Sequence, residues 1–539
     1  NTGNSITSGG NYNVLVGDEA GTALTTGDNN VAVGFEALKT EDADGDNVAV
    51  GYQALKVQNA GAAGQNVAVG RSAGAAITTG THNSLLGGYA GDALTEGAKN
   101  VALGRTALSA DTLGSKSTAL GADTLQNQNF TTATDTFNVA VGYGSGMQLT
   151  TGTNSVFIGA LAGDAITSGA LNVALGHMAL SADTVGSRTT ALGYKALQLQ
   201  NLTTATDVYN VAVGYAAGTA MTTGIKNTIV GGLAGDALTD ADENVVIGVS
   251  ALGADTLGSK TTAIGQGALQ SQNFTTATDT YNVAVGFSAG NQVTTGIQNV
   301  LVGDQAGDAL TDSDNNVAIG SQALTADTLG TRSVAIGRRA LSTQNFTTST
   351  EVYNVAIGFN AGKNVTTGIY NTLVGALSGD ALTDADNNVA LGWGTLSTDT
   401  LGSRSVAIGR SALQSQNFTT ATDSYNTAVG YSAGLSVTTG LSNTLVGGQT
   451  GEAITTGSYN SFVGARAGDA INTGSNNVAI GWATLSADTK GDKTTAIGRS
   501  ALGSQNFTTA TDTYNTAVGY AAGLSVTTGI QNTIIGALA

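Results

Sequence analysis

The sequence predicts an all-β chain wound as a parallel β-solenoid of about 30 short coils. Three observations carry this expectation. A glycine-closed phrase returns at nearly fixed intervals, the residues before that glycine are apolar on both faces of a short strand, and the composition suits stacked turns better than a globular core.

The period comes first. The phrase NVAVGYAAG at Asn210–Gly218 has close relatives starting at Asn138, Asn282, Asn354, Asn426 and Asn515. The glycine that closes each VAVG-like stretch falls at Gly17, Gly34, Gly51, Gly70, Gly87, Gly104, Gly121 and Gly142, and onward to Gly519 and Gly536, 30 times in all. The usual step is 17 residues, and every fourth step from Gly142 to Gly430 is 21, which gives a super-repeat of 72. The last interval, Asn426 to Asn515, is 89 residues because one further 17-residue unit lies around Gly447 to Gly464. Whole units inserted without loss of phase are the mark of a solenoid, in which each coil touches only its neighbours.

The positions within a coil come next. The residue before the marker glycine is always Val, Ile or Leu, and the one three before it is Val, Thr or Ser. Side chains alternate along a strand, so these two share a face and are expected to fill the interior. The residue between them, Ala212 for example, is then expected to face outward, yet it is apolar in every coil. Two apolar faces on one strand predict that identical chains pack together, as in a homotrimer, and a charge at Ala212 is expected to disrupt assembly. A second short strand is expected after the glycine, with Ala, Ser or Thr three residues on and a Gly, Gly, Leu, Leu rotation after that. Turns rich in Gly, Thr, Asn and Asp bring the chain round, and no stretch has helical periodicity.

Composition excludes several function classes. The 539 residues include 77 glycines, no proline and no cysteine, with 11% charged and 41% hydrophobic residues. A disulfide framework and thiolate metal sites are therefore excluded. The net charge of −18 opposes a phosphate backbone, so nucleic acid is not an expected partner. No apolar run approaches the roughly 18–20 residues of a membrane span, and no membrane insertion is expected in this segment. Both ends fall within the repeat, so residues 1–539 are expected to form one repetitive solenoid from a longer fibre. Thirty coils at about 4.8 Å each would stack to roughly 140 Å.

The phrase NVAIG followed by xxAL or xxAG resembles the head repeats of YadA-like trimeric autotransporter adhesins, and it is similar to repeats of bacteriophage tail fibres. The resemblance covers the whole chain, although the coils here are longer and no coiled-coil stalk or anchor barrel is visible. It implies a left-handed β-roll, association into a homotrimeric rod, and a cell-surface or virion location.

Candidate chemistry is sparse. The two histidines, His82 and His177, lie more than five coils apart and cannot join in a triad or a metal cluster. Alternating oxygen ligands suited to Ca²⁺ occur at Asp42, Asp44 and Asp46, at Asp240 and Asp242, at Asp312 and Asp314, and at Asp384 and Asp386. The same residues also simply favour turns. Asp111 and Lys116, Asp183 and Arg188, Asp255 and Lys260, Asp327 and Arg332, and Asp399 and Arg404 stand five apart as candidate surface pairs. The 21-residue coils insert QNFTTATDTYN-like stretches, whose aromatics (Phe130 and Phe137, Phe274 and Tyr281; Leu202 and Tyr209 in one coil) offer a platform for a sugar or packing for the bulge. They also carry N-x-T acceptor patterns at Asn129, Asn201, Asn273, Asn345, Asn417 and Asn506.

These features predict a non-enzymatic structural shaft or adhesive region of an extracellular fibre, most simply a bacterial surface adhesin that meets cell-surface glycans or matrix. A bacteriophage tail-fibre shaft is the alternative, and a carbohydrate-active solenoid enzyme ranks below both. No cofactor is expected apart from the Ca²⁺ considered above.

Overall fold

A computed structural model describes residues 2–7, 9–61 and 63–539. The chain winds as an all-β parallel solenoid of about 31 turns, with no helix among the described residues. It divides into two compact units, Asn1–Gln266 with Asn273–Asp279, and Gly267–Gln272 with Thr280–Ala539. Each unit contains fifteen three-residue strands, from Val14–Val16 to Thr262–Ile264 in the first and from Val283–Val285 to Thr533–Ile535 in the second. Within each unit the strands of successive coils pair in parallel and in register. Val139 faces Val156 across an ordinary 17-residue coil, and Thr118 faces Val139 across a 21-residue one.

The strand faces are the reverse of the expectation. In coil after coil the middle residue is buried while its two neighbours face out, half-exposed. Ala212 is wholly buried inside its coil, and Val211 and Val213 stand outside. The reason is steric, because the space enclosed by a 17-residue coil is narrow. Alanine at the strand centre fits it in most coils, and a larger residue fits only where room is made elsewhere. Phe157 shows how: Gly146 and Gly163 flank it, and a Cβ at Gly163 would lie 2.6 Å from the Phe157 ring.

That compensation explains the Gly, Gly, Leu, Leu rotation. The position four after each marker glycine has φ near +50° to +60° whether it is Gly or Leu. Where it is Leu, as at Leu108 and Leu125, that side chain fills the core, and the position three further on is polar, here Asp111 and Gln128. Where it is Gly, as at Gly91 and Gly146, the later position supplies the apolar filler, Leu94 and Leu149. The extra unit before Gly464 obeys the same rule, with Gly451 beside Ile454.

The second expected strand is absent among the described residues. Residues after the marker glycine form tight turns, because positive φ recurs at the second and fourth positions, as at Ala216 and Gly218. The marker glycine is itself required: at Gly214 φ is +144°, and a Cβ would lie 2.4 Å from the carbonyl oxygen of Gly231 in the next coil. Additional two-residue strands occur only at the long coils, three parallel pairs in each unit, such as Gly186–Ser187 with Thr206–Asp207.

Asparagine binds coil to coil. Asn227 stands four before its marker glycine; its backbone N–H donates to Asn210 Oδ1 (2.8 Å), and its Nδ2 donates to the Ala241 carbonyl (2.7 Å). The same two bonds recur at Asn83 in the first unit and at Asn371 and Asn477 in the second. Buried side-chain amides thus satisfy turn groups that have no strand partner.

Candidate interaction surface

The outward strand positions form a ladder on each unit. Each unit has thirty such positions, two per strand, and across both units they hold only Val, Ile, Leu, Thr and Ser. At the chain's 11% charged content, sixty positions would carry about six charges; they carry none. In the first unit the ladder dips into an apolar groove of about 260 Å³ lined by Val67, Val69, Leu86, Val101 and Leu103 among others. A parallel ladder that faced only water would be expected to alternate apolar and polar residues or to interpose charge.

Beside the ladder, the residue after the marker glycine forms a rim of exposed aromatics and arginines. Phe35 stacks on Tyr52 at 5.5 Å, and Tyr194 on Tyr215 at 5.4 Å. Arg71 lies at 5.6 Å over both Tyr52 and Tyr89, the latter one place further from its marker, Gly87. In the second unit Arg410 sits over Trp393 at 5.2 Å and Tyr431 at 6.0 Å, and Arg499 over Trp482 at 4.9 Å and Tyr520 at 5.9 Å. Apolar face and aromatic–arginine rim together have the makeup of a protein–protein interface.

The long coils present a different surface. Their first bulky residue folds inward, Phe130 being 6% exposed and Leu202 likewise 6%, so it packs the bulge. The second stays outside, Phe137 at 51% and Tyr209 at 52%. A cation from the preceding coil covers its ring: Lys116 Nζ lies 5.0 Å from the Phe137 centroid and Arg188 5.6 Å from Tyr209. The same cation pairs with a carboxylate on the two-residue strand, Lys116 with Asp135 at 2.5 Å and Arg188 with Asp207 at 2.9 Å. In the second unit Arg404 meets Asp423 and Tyr425, and Arg332 meets Glu351 and Tyr353. Each ring is therefore already engaged on its cation-covered face.

The five-apart surface pairs do not form. Asp111, Asp183, Asp255, Asp327 and Asp399 are fully buried. Asp111 Oδ1 accepts from the N–H of Gly114 (3.0 Å) and of Phe130 (3.2 Å), and its Oδ2 accepts from Gln128 Nε2 (2.6 Å). Gln128 Nε2 also donates to Ser117 Oγ, and its Oε1 accepts from Asn138 Nδ2. Asp327 repeats the arrangement with Gly330, Phe346 and Gln344. Burial pushes the Asp111 carboxyl above the usual range, against the pull of these donors. The cluster fixes where each bulge leaves the coil.

The acidic turns are engaged one coil back. Asp240 accepts from Thr223 Oγ1 and Asp242 from the Ile225 N–H. Asp312 and Asp314 do the same with Thr295 and Ile297, and Asp384 and Asp386 with Thr367 and Ile369. Asp46 accepts from Asn29 and the Asp42 carbonyl from Thr25, likewise one coil back, whereas Asp44 accepts from the Ala60 N–H of the following coil. Among the described residues no three acidic or histidine side chains gather into a possible metal cluster. His82 and His177 are exposed, and His177 stacks on Tyr194.

The sequon asparagines at 129, 201, 273, 345 and 506 are exposed, and Asn417 is half-exposed. Thr112 Oγ1 donates to Asn129 Oδ1 at 3.1 Å, and Thr184 to Asn201 at 3.2 Å. A further acidic column lies on the AGD and SGD turns: Asp92, Asp164, Asp236, Asp308 and Asp380 are held above the usual carboxylate range by burial. No protein-family model matches the chain, and no curated protein matches it.

Proposed function

We propose that this chain is the shaft of an extracellular fibre, assembled from three copies through the outward strand ladder and serving as the structural and adhesive region of a bacterial surface adhesin. The observation that carries this reading is the ladder itself, thirty uncharged and mostly apolar positions on each unit. A standard protein interface engages about 20–30 residues a side, so one unit presents enough surface for a stable contact. A second copy is the occupant that matches this face best, since an identical ladder offers the same coil spacing along its whole length. The repeated aromatic, amide and hydroxyl groups of the long coils would then project from the assembled shaft toward cell-surface glycans or matrix. Light scattering on the purified chain at micromolar concentration should give three times the 53.2 kDa chain mass. A 53.2 kDa particle would contradict self-assembly and, with it, the fibre reading.

A further inference from the structure

The long-coil bulges repeat one motif with a chemistry of its own. Asn, then Phe or Leu, then Thr occupy 129–131, 201–203 and 273–275 in the first unit, and 345–347, 417–419 and 506–508 in the second. The middle residue is buried, and the buried carboxylate of the preceding coil accepts from its N–H, as Asp111 does from Phe130 and Asp183 from Leu202. Side chains two apart in an extended stretch share a side, so an inward middle residue sends its neighbours outward together. The Thr is exposed in all six copies, and the Asn is exposed in five and half-exposed at Asn417.

One end of each amide is already held. A threonine hydroxyl of the preceding coil donates to Oδ1: Thr112 to Asn129 at 3.1 Å, Thr256 to Asn273 at 3.2 Å, and Thr328 to Asn345 at 3.1 Å. Asn201, Asn417 and Asn506 are held in the same way. Among the described residues, Nδ2 has no partner at any of the six, and neither has the hydroxyl two residues on. The three residues after the buried one, 131–133 for example, are exposed and donate no backbone hydrogen bond among the described residues. An enzyme can bind this stretch without opening the coil.

A seventh N-x-T pattern, Asn364-Val365-Thr366, lies in an ordinary 17-residue coil and lacks this freedom. The Thr366 N–H donates to the Thr383 carbonyl, and its own carbonyl accepts from the Asn345 N–H, so Thr366 is tied to the coils on both sides. Thr131 makes neither bond.

We propose that Asn129, Asn201, Asn273, Asn345, Asn417 and Asn506 are sites of N-linked glycosylation on the folded chain, and that Asn364 is not. The co-reactant is a sugar esterified to phosphate at its anomeric carbon. Nδ2 bonds to that carbon as its bond to the phosphate oxygen breaks; the phosphate leaves with the electron pair, and the amide gives up one proton. The transferring enzyme reads the Thr hydroxyl together with the amide. Asn129 and Asn201 stand four coils apart, about 19 Å at about 4.8 Å per coil, and none of the six lies on a ladder strand.

Intact mass and peptide mapping of the chain isolated from the cell that makes it test the assignment. Sugar on the six bulge asparagines and a bare Asn364 are expected. An intact mass equal to that of the polypeptide alone, or sugar on Asn364, would overturn it. Thr131→Ala and Thr131→Ser, produced in the same cell, add a second readout, and Thr131 is exposed, so neither change disturbs packing. Asn129 should lose its sugar in the first and keep it in the second, with the other five sites unaffected. Sugar retained on Asn129 in Thr131→Ala would also overturn the assignment. A bare chain that still forms trimers would overturn glycosylation and leave the assembly reading standing, whereas a glycosylated monomer would do the reverse.

Discussion

The strand ladder and the long-coil bulge are two exposed surfaces of the same coils, built on opposite plans. On the bulge every exposed charge is answered: Lys116 has Asp135 and the Phe137 ring, and Arg404 has Asp423 and Tyr425. On the ladder there is no charge at all, and Val and Ile stand half-exposed in coil after coil. Charged, paired side chains keep a surface content in water and discourage lateral association. An uncharged, mostly apolar strip does the opposite. The contrast separates a charged, internally paired side of each coil from an uncharged, mostly apolar side, the one the proposed assembly uses.

Substitutions sharpen this contrast in a definite order of effect. Ala212→Asp puts an unpaired charge inside the coil, not on the ladder, so it should open the surrounding coils of the first unit and cost at least about 4 kcal/mol. Hydrogen exchange around residues 190–230 would register the loss. Unchanged protection there would mean that the strand faces have been assigned the wrong way round. Asp111→Ala leaves the N–H groups of Gly114 and Phe130 and the amide of Gln128 without their acceptor, at about 3 kcal/mol. Proteolysis should then begin at the 121–142 bulge while the neighbouring ladder holds.

The acidity of the interior gives a smaller, graded effect. Burial raises Glu41 to about 8, and it also raises Asp92, Asp164, Asp236, Asp308 and Asp380. A carboxyl that binds its proton more tightly when folded contributes stability below its unfolded value and loses it as pH rises through the folded value. For Glu41 that window runs from 4.5 to about 8. Thermal melts should therefore show the coils around residues 34–66 loosening as pH rises across it, and Glu41→Gln should flatten the dependence. Smallest of all is Lys116→Ala on the bulge. It should change stability by no more than about 1 kcal/mol and leave the particle mass unchanged, because exposed pairs are weak.

Much of this was legible in the sequence, and the errors have physical causes. The marker glycines, the 17- and 21-residue steps and the extra unit before Gly464 all appear in the fold as spaced. The faces of Val-Ala-Val were inverted because bulk was equated with burial, whereas a coil this narrow takes Ala212 inside and leaves Val211 and Val213 out. Proximity along the chain suggests Lys116 for Asp111, whereas its partners are Gly114 in its own turn and Gln128 and Phe130 in the next coil. A signal was present: an acid or Gln follows three residues after Leu, and only after Leu, in the Gly/Leu rotation. Asn210 and its equivalents open each phrase with no role legible in the sequence, and only the three-dimensional register shows them bridging coils.

The account rests most heavily on the claim that the ladder is covered in the assembled protein and the bulge is not. The chain has no cysteine, so a single introduced thiol reports on one surface at a time. Val213→Cys places it on the ladder and Thr204→Cys on the exposed bulge of the preceding coil. Labelling with a soluble maleimide under native conditions should modify Cys at 204 rapidly and leave Cys at 213 protected until the particle is dissociated. Equal labelling rates at the two positions would mean that the ladder faces water, and the claim that copies of this chain join through it would be wrong.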